Sequence, residues 1–316
     1  MTDARATIGA TMANPTLVPS LLEWYRAHAR TLPWRQPDMN PWGVLVSEFM
    51  LQQTPVARVV PVYQAWLARW PYPAALAAAQ PGEAVRMWGR LGYPRRALRL
   101  HASALVCVDR HGGSVPTAVD DLRALPGVGD YTAAAVAAFA FGQRTVVLDS
   151  NVRRVHARLL GGRERAPAAS PSVAERVRAE QLLPRDAQSA ARLSVAVMEL
   201  GALVCTARAP SCGRCPVAES CVWLREGRPA WTGPTRPPQR YAGTDRQCRG
   251  RLLDVVRAAP GTVDRSALDA VWSDDIQRER ALHSLLVDGL IEVVAQPGRD
   301  GLSQPGYRLP SRPHRR

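Results

Sequence analysis

LPGVGDYTAAAVAAFAFGQRTVVLDSNVRR, residues 125–154, holds a tight turn, a helix and an isolated acid. Leu125-Pro126-Gly127-Val128-Gly129 lies between two helical segments, and its glycines permit φ > 0 and close approach of backbone to a ligand. The alanine-rich helix begins near Asp130. Its free N–H groups and the positive end of its dipole point outwards, a place to hold a phosphate. A plain helix–turn–helix loop would carry the same turn. Asp149 follows Gly129 by 20 residues, one helix and one loop on, so the chain can return it to the mouth of the turn. Asn151-Val152-Arg153-Arg154 then opens a polar, basic helix suited to a phosphate backbone. Read alone, Asp149 also fits an ordinary N-cap.

Around this stretch the chain reads as alanine- and leucine-rich helices broken by proline or glycine. Helices are expected at 17–29, 42–53, 56–70, 81–88, 95–109, 131–141, 150–160, 173–182 and 186–203. Strand signals are nearly absent, only 145–148 being β-branched enough to compete, so the class is all-α. The division expected is a flexible tail over 1–14, a main domain over 15–226, a Pro/Gly-rich linker over 227–243 and a small module over 244–316. In that module helices at 249–258, 265–271 and 275–288 precede a hairpin of 290–294 with 306–309, a winged-helix-like pattern.

Cys205, Cys212, Cys215 and Cys221 follow the spacing C-x6-C-x2-C-x5-C. Four thiolates at these intervals can close round a [4Fe–4S] cube, one sulfur per iron. Zinc competes, but a zinc ribbon usually shows two short-gap pairs and only one occurs here. Cys107 and Cys248 are far apart and read as incidental thiols in a reducing compartment.

The net charge of +14 points to a polyanionic partner. All 41 basic residues are arginine; the chain has no lysine. No side chain can therefore form a Schiff base with a sugar aldehyde, which excludes lysine-dependent lyase chemistry. No apolar run reaches membrane length and residues 1–15 show no secretory signal, so a cytoplasmic, soluble protein without membrane contact is expected. Association with the nucleoid and a monomeric state are further expectations.

Turn, helix, Asp149 and the downstream cysteines together resemble the iron–sulfur branch of the helix-hairpin-helix-Gly/Pro-Asp DNA glycosylases. Within it, endonuclease III-like enzymes carry a catalytic lysine where this chain has Tyr131. Ser47-Glu48-Phe49-Met50-Leu51-Gln52-Gln53-Thr54 resembles the SEVMLQQT segment of MutY-like adenine glycosylases, and Arg30-Thr31-Leu32-Pro33-Trp34-Arg35 their RxLPWR segment. The likeness covers roughly residues 17–225.

The resemblance implies removal of adenine mispaired with 8-oxoguanine or guanine in double-stranded DNA, by a monofunctional glycosylase bearing a [4Fe–4S] cluster. Adenine would flip into a pocket, and Glu48, kept neutral by enclosure, would protonate it. Asp149 would stabilise the oxocarbenium-like sugar, with Tyr131 and Asn151 orienting acid or sugar. Arg30, Leu32, Trp34 and Arg35 would wall the pocket, and Glu199 would be a further pocket carboxylate. Gln53 and Tyr93 would wedge into the base stack, and Gly127, Gly129 and Arg153 would face the phosphates. Arg208 and Arg214, on the cysteine loop, would also reach phosphates.

Three departures stand out. Pro94 follows Tyr93 where many relatives have a second tyrosine, and Ser150 replaces a glycine common after the catalytic Asp. The segment beyond the linker does not resemble the MutT-like domain with which many relatives check 8-oxoguanine. Two alternatives remain: a thymine glycosylase acting on T:G mismatches, and a non-catalytic iron–sulfur DNA-binding protein. Two acids, Glu48 and Asp149, argue against the second, since binding needs neither.

Overall fold

The computed structural model describes residues 14–167, 169–234, 240–297 and 303–313. Residues 1–13 of the expected tail and 235–239 of the expected linker lie outside them. The helices in chain order are α1 (Leu17–His28), α2 (Pro41–Leu51), α3 (Val56–Arg69), α4 (Pro73–Ala77), α5 (Pro81–Trp88), α6 (Arg95–His111), α7 (Val119–Ala124) and α8 (Asp130–Phe141). They continue as α9 (Ser150–Leu159), α10 (Val173–Leu182), α11 (Ala187–Leu203), α12 (Val222–Arg225), α13 (Asp245–Ala258), α14 (Arg265–Asp269) and α15 (Asp275–Val287). Strands β1 (Val263–Asp264), β2 (Glu292–Pro297) and β3 (Ser303–Arg308) complete the set. No helix among the described residues is long and apolar enough to cross a membrane.

Chain contacts divide the protein into two compact units. One comprises Met1–Val44, Thr117–Arg123 and Val128–Thr235; the other comprises Leu45–Pro116, Ala124–Gly127 and Arg236–Arg316. In the first, Leu17, Leu21 and Trp24 recur at helical spacing along α1 and bury with Val152, Val155 and Leu159 of α9 and Leu193, Val197 and Leu200 of α11. Buried alanines of α8 meet Ala191 of α11, small side chains letting the helices approach closely. Helix starts are set by side-chain caps: Ser172 and Glu175 form a capping box on α10, and Asp186 accepts from Ser189 N at 2.7 Å on α11.

In the second unit, Val59, Tyr63 and Trp66 share the buried face of α3, and Trp66 meets Trp70 and Trp88 edge-on, with centroids 4.7 and 5.7 Å apart. The carboxy-terminal residues supply α13, β1, α14, α15 and an antiparallel sheet of order β1-β3-β2, the winged-helix order. Tyr307 of β3 pairs with Val263 on one side and Val293 on the other. Gly82 N donates to Pro310 O at 2.8 Å, and a Cβ on Gly82 would lie 2.7 Å from that oxygen, so only glycine admits this chain end against α5.

The long helices form within one or two residues of expectation, and those at 81–88 and 173–182 match it at both ends. α13 starts four residues early because Thr244 caps it, accepting from Gln247 N. The segment 145–148 is not a strand: Thr145 Oγ1 donates to Ala134 O at 2.8 Å, while Val147 and Leu148 bury as anchors. Helices α4, α7 and α12 and strand β1 are too short to leave a periodic signal.

The end of α2 is fixed by one buried side chain. Arg96 Nη1 donates to the carbonyls of Phe49 (2.8 Å), Met50 (3.2 Å) and Gln52 (2.6 Å), groups that a helix terminus leaves unsatisfied. Its Nη2 donates to Thr54 Oγ1 and Gly92 O, each at 3.0 Å. Burial pulls the Arg96 pKa down to about 10, yet no ordinary pH discharges it. Replacing it strands several buried acceptors at once. Arg96→Leu is expected to destabilise the protein by about 3 kcal/mol or more in urea denaturation; a loss under about 1 kcal/mol would contradict this account.

Candidate active site and iron–sulfur motif

The Leu125–Gly129 turn is built round Gly127. Its φ is +85°, and a Cβ would lie 2.8 Å from Arg99 Cβ and 3.0 Å from the Phe49 ring. Ser103 Oγ donates to Pro126 O at 2.7 Å and holds the turn. Gly129 differs from the expectation for both glycines. Its φ is −101°, it stands at the N-cap of α8, and a Cβ there would meet nothing within 4 Å. Asp130, in the first turn of α8, pairs with Arg123 at 2.9 Å, which offsets a charge that would otherwise oppose an anion.

Asp149 is the N-cap of α9, and its carboxylate is held at both oxygens. Oδ1 accepts from Val152 N at 2.6 Å and Oδ2 from Asn151 Nδ2 at 3.0 Å. Asn151 Oδ1 accepts in turn from Arg154 Nη2 at 2.8 Å, and Arg154 donates to Gly201 O (2.7 Å) and Cys205 O (2.8 Å). Gly201 permits this: a Cβ there would lie 2.8 Å from Asn151 Cβ. Burial raises the Asp149 pKa, outweighing the donors that favour its charge. Tyr131 is half-buried on α8 and packs against the cluster that holds the buried α8 alanines, Val147 and Ala191.

Glu199 of α11 is fully buried between two arginines. Its Oε1 accepts from Arg30 N (3.0 Å) and Nε (2.7 Å), and its Oε2 from Arg30 Nη2 (2.8 Å) and Arg35 Nη2 (3.0 Å). Burial alone would raise its pKa; the bonds from Arg30 and Arg35 overcome that and hold it at about 2. Leu32 and Trp34, between the arginines, are buried, and Arg35 Nη1 is a buried donor without a hydrogen-bond partner. Glu48 is buried on α2, 6% exposed, between Ser47 and Phe49, which are both fully enclosed. Gln53 and Tyr93 are exposed and, with Arg228, are the non-glycine residues at positive φ among the described residues. Strain of this kind gathers at functional positions.

The four cysteines follow the end of α11. Cys212 opens a 3-10 turn closed by Cys215 N donating to Cys212 O at 3.1 Å, and Cys221 caps α12. None of the four is in a disulfide. Burial, then the charges of the other three, pushes Cys215 up to about 11, so a bound group must displace a reluctant proton. The buried Arg158 Nη1 donates to Cys205 Sγ at 3.4 Å and to Thr206 O at 2.7 Å, and its guanidinium lies 4.6 Å over the Trp223 ring. A fixed positive charge beside four mutually coupled sulfurs fits an anionic thiolate cluster. No three Cys, His, Asp or Glu side chains among the described residues are set for one metal ion, whereas a cubane spreads its thiolates over four irons. Arg208 and Arg214 are exposed on the loop.

Residues 46–180 match the HhH-GPD superfamily of base excision DNA repair proteins, and 205–221 match the iron–sulfur binding domain of endonuclease III. An adenine DNA glycosylase of Mycobacterium tuberculosis is 52% identical over 91% of this chain and 94% of its own length. One of Mycolicibacterium smegmatis is 54% identical over 90% and 96%. This chain belongs to the adenine DNA glycosylase family. A solved thermostable thymine-DNA glycosylase superposes with a TM-score of 0.61 at 25% identity, covering 69% of this chain and 98% of that one. The iron–sulfur motif of the family is thus present with all four cysteines, and the [4Fe–4S] cluster is its cofactor.

Against the family pattern, one expected DNA contact is turned inwards. Arg153 is 8% exposed, and its guanidinium bonds Glu175 (Nε–Oε1 2.9 Å) and Ala169 O (2.9 Å), so it is not on the surface where a phosphate would be met. Arg154, expected at a phosphate backbone, instead bonds Asn151, Gly201 O and Cys205 O. Arg96 and Arg158, which the sequence does not single out, fix the end of α2 and the cysteine loop. A signal existed for Arg158, three residues after buried Val155 on the apolar face of α9.

Glu199 gives a test by pH. Its carboxyl moves from 4.5 to about 2, so its ionised form stabilises the fold fully above about pH 4.5 and progressively less as pH falls towards 2. Glu199→Gln leaves two buried guanidinium contacts without a counter-charge and is expected to cost about 3 kcal/mol at neutral pH. In urea denaturation across pH, the difference from wild type should hold steady down to about pH 5 and shrink by about pH 3. A difference independent of pH would refute the pairing.

Proposed function

We propose that this chain is a monofunctional adenine DNA glycosylase that hydrolyses the N-glycosidic bond of adenine opposite 8-oxoguanine or guanine in duplex DNA. The observation that carries the reading is the 52% identity over 91% of the chain to a relative named adenine DNA glycosylase, against 36% over 64% of the chain to one named thymine-DNA glycosylase. The residues support it. Adenine leaves poorly until N7 is protonated, which asks for a carboxylic acid sheltered from water, and Glu48 is buried. As the bond breaks, positive charge grows on the sugar; Asp149, held by Val152 N and Asn151, is the acid assigned to stabilise it. Tyr131 and Asn151 are assigned to orientation.

Arg35 Nη1, with Leu32 and Trp34 beside it, is assigned to the rim of the adenine pocket, and the Arg30–Glu199 pair to holding that rim in place. Gln53 and Tyr93 are the wedge. Water completes the reaction and leaves an abasic site. With no lysine in the chain, strand scission by a lysine Schiff base is not available. The cluster, when bound, supplies a rigid anchor for the loop carrying Arg208 and Arg214. The protein would act as a monomer on the nucleoid, with residues 15–226 as catalytic domain.

Single-turnover base release from duplexes holding A:8-oxoG, A:G or T:G tests this. Adenine is expected to leave, with strand cleavage only after added alkali. Glu48→Gln should slow release about 10²–10⁴-fold and Asp149→Asn about 10²–10³-fold. Undiminished release by both variants, or thymine release with adenine untouched, would end the assignment.

A further inference from the structure

The carboxy-terminal residues form a feature that excision chemistry leaves unused. Within the second unit, α13 and the loop before it face residues 89–99 and Gln52–Gln53 across a solvent-open groove of about 1120 Å³. Small-molecule pockets run to roughly 300–1,000 Å³, so this volume suits an extended ligand. Nine arginines line it against two aspartates. Asp254 pairs with Arg90 (3.1 Å) and Arg257 (3.5 Å), and Asp288 with Arg95 (3.1 Å) and Arg249 (2.8 Å). Arg99, Arg246 and Arg251 are exposed, and among the described residues no carboxylate pairs with them.

Two half-exposed tyrosines stand in the same groove, Tyr93 at 50% and Tyr241 at 53%. Each has a guanidinium over its ring, Arg96 at 5.5 Å and Arg246 at 5.2 Å. An exposed aromatic face beside cations without a carboxylate partner, as at Tyr241, is what proteins use to stack an unpaired base and hold its phosphates. Gly250 sits inside α13 near the Tyr241 hydroxyl, leaving the groove wall bare at a position where glycine weakens a helix.

The charge of the module is also on an unexpected helix. A helix-turn-helix reader inserts its recognition helix into the major groove. Here that helix, α15, exposes Ile276, Glu279, His283 and Val287, and its Arg280 is tied to Asp245 at 2.6 Å. The module's exposed arginines without a carboxylate partner, Arg246 and Arg251, lie on α13 instead.

We propose that the groove, and not α15, is where the carboxy-terminal module meets nucleic acid. It takes one sugar–phosphate strand of the DNA substrate, with a base against Tyr241 and with Arg99, Arg246 and Arg251 on its phosphates. This rests on the reading of DNA as substrate.

The test uses the full chain with its cluster and a synthetic duplex carrying one A:8-oxoG pair, its affinity followed by fluorescence anisotropy over a salt series. Arg246→Gln with Arg251→Gln is expected to weaken binding roughly tenfold and to reduce the slope of log K against log salt by about 0.9 per lost contact, nearly two in all. Tyr241→Ala should weaken binding roughly tenfold with the slope kept. Arg246→Lys should keep the slope, and His283→Glu on α15 should bind as wild type. Wild-type affinity and slope in both groove variants, or a loss confined to His283→Glu, would overturn the proposal. Adenine release by the wild-type chain on the same duplex is read separately. Groove variants that lose affinity in a chain releasing no adenine would keep the groove and void the excision assignment.

Discussion

One buried guanidinium, that of Arg96, holds the part of the second unit that carries Glu48, Gln53 and Tyr93. It terminates α2 by satisfying carbonyls at Phe49, Met50 and Gln52, and it binds Gly92 O, one residue before Tyr93. Gln53 and Tyr93 each occupy a left-handed backbone conformation that costs a non-glycine residue about 1–3 kcal/mol. Such conformations persist only where their surroundings over-determine them. Arg96 supplies that surrounding for both turns, and a lysine could not: it has a point charge in place of a planar fork of donors.

The first unit repeats the device with other arginines. Arg154 links the side chain that touches Asp149 to the carbonyl of Cys205, and Arg158 reaches the sulfur of that cysteine and the carbonyl after it. Arg30 and Arg35 close on Glu199. The positions of Asp149, the cysteine loop and the Arg30–Arg35 segment are thus set by charge-assisted bonds to groups that would be costly to leave unmet in a dry interior.

The helical class, most helix bounds, the turn at Gly127 and the cysteine motif were legible because each leaves a local trace: apolar spacing, a glycine that nothing else can replace, a fixed interval between thiols. The direction of the arginines was not. In a chain whose basic residues are all arginine, composition cannot separate Arg153, which is turned inwards onto Glu175, from Arg208, which is exposed. Gly129 misled for a related reason, since a glycine forced by φ and one that leaves open space beside a helix start look alike in sequence. Short elements such as α4, α12 and β1 depend on tertiary contacts and have too few residues to show a period.

The bond from Gly82 N to Pro310 O bears on how the protein is made. The second unit draws on three separate stretches of chain, and the stretch from Arg236 on is translated after the other two. At about 5–20 residues per second, α5 waits on the order of tens of seconds after leaving the ribosome before its partner carbonyl exists. Until then the groove face of the nascent protein lacks one wall, and Val85 O of α5 lacks the Arg257 guanidinium that bonds it at 3.0 Å. Newly synthesised copies therefore pass through an interval in which Arg90 and Arg95 lack Asp254 and Asp288, the carboxylates that later neutralise them.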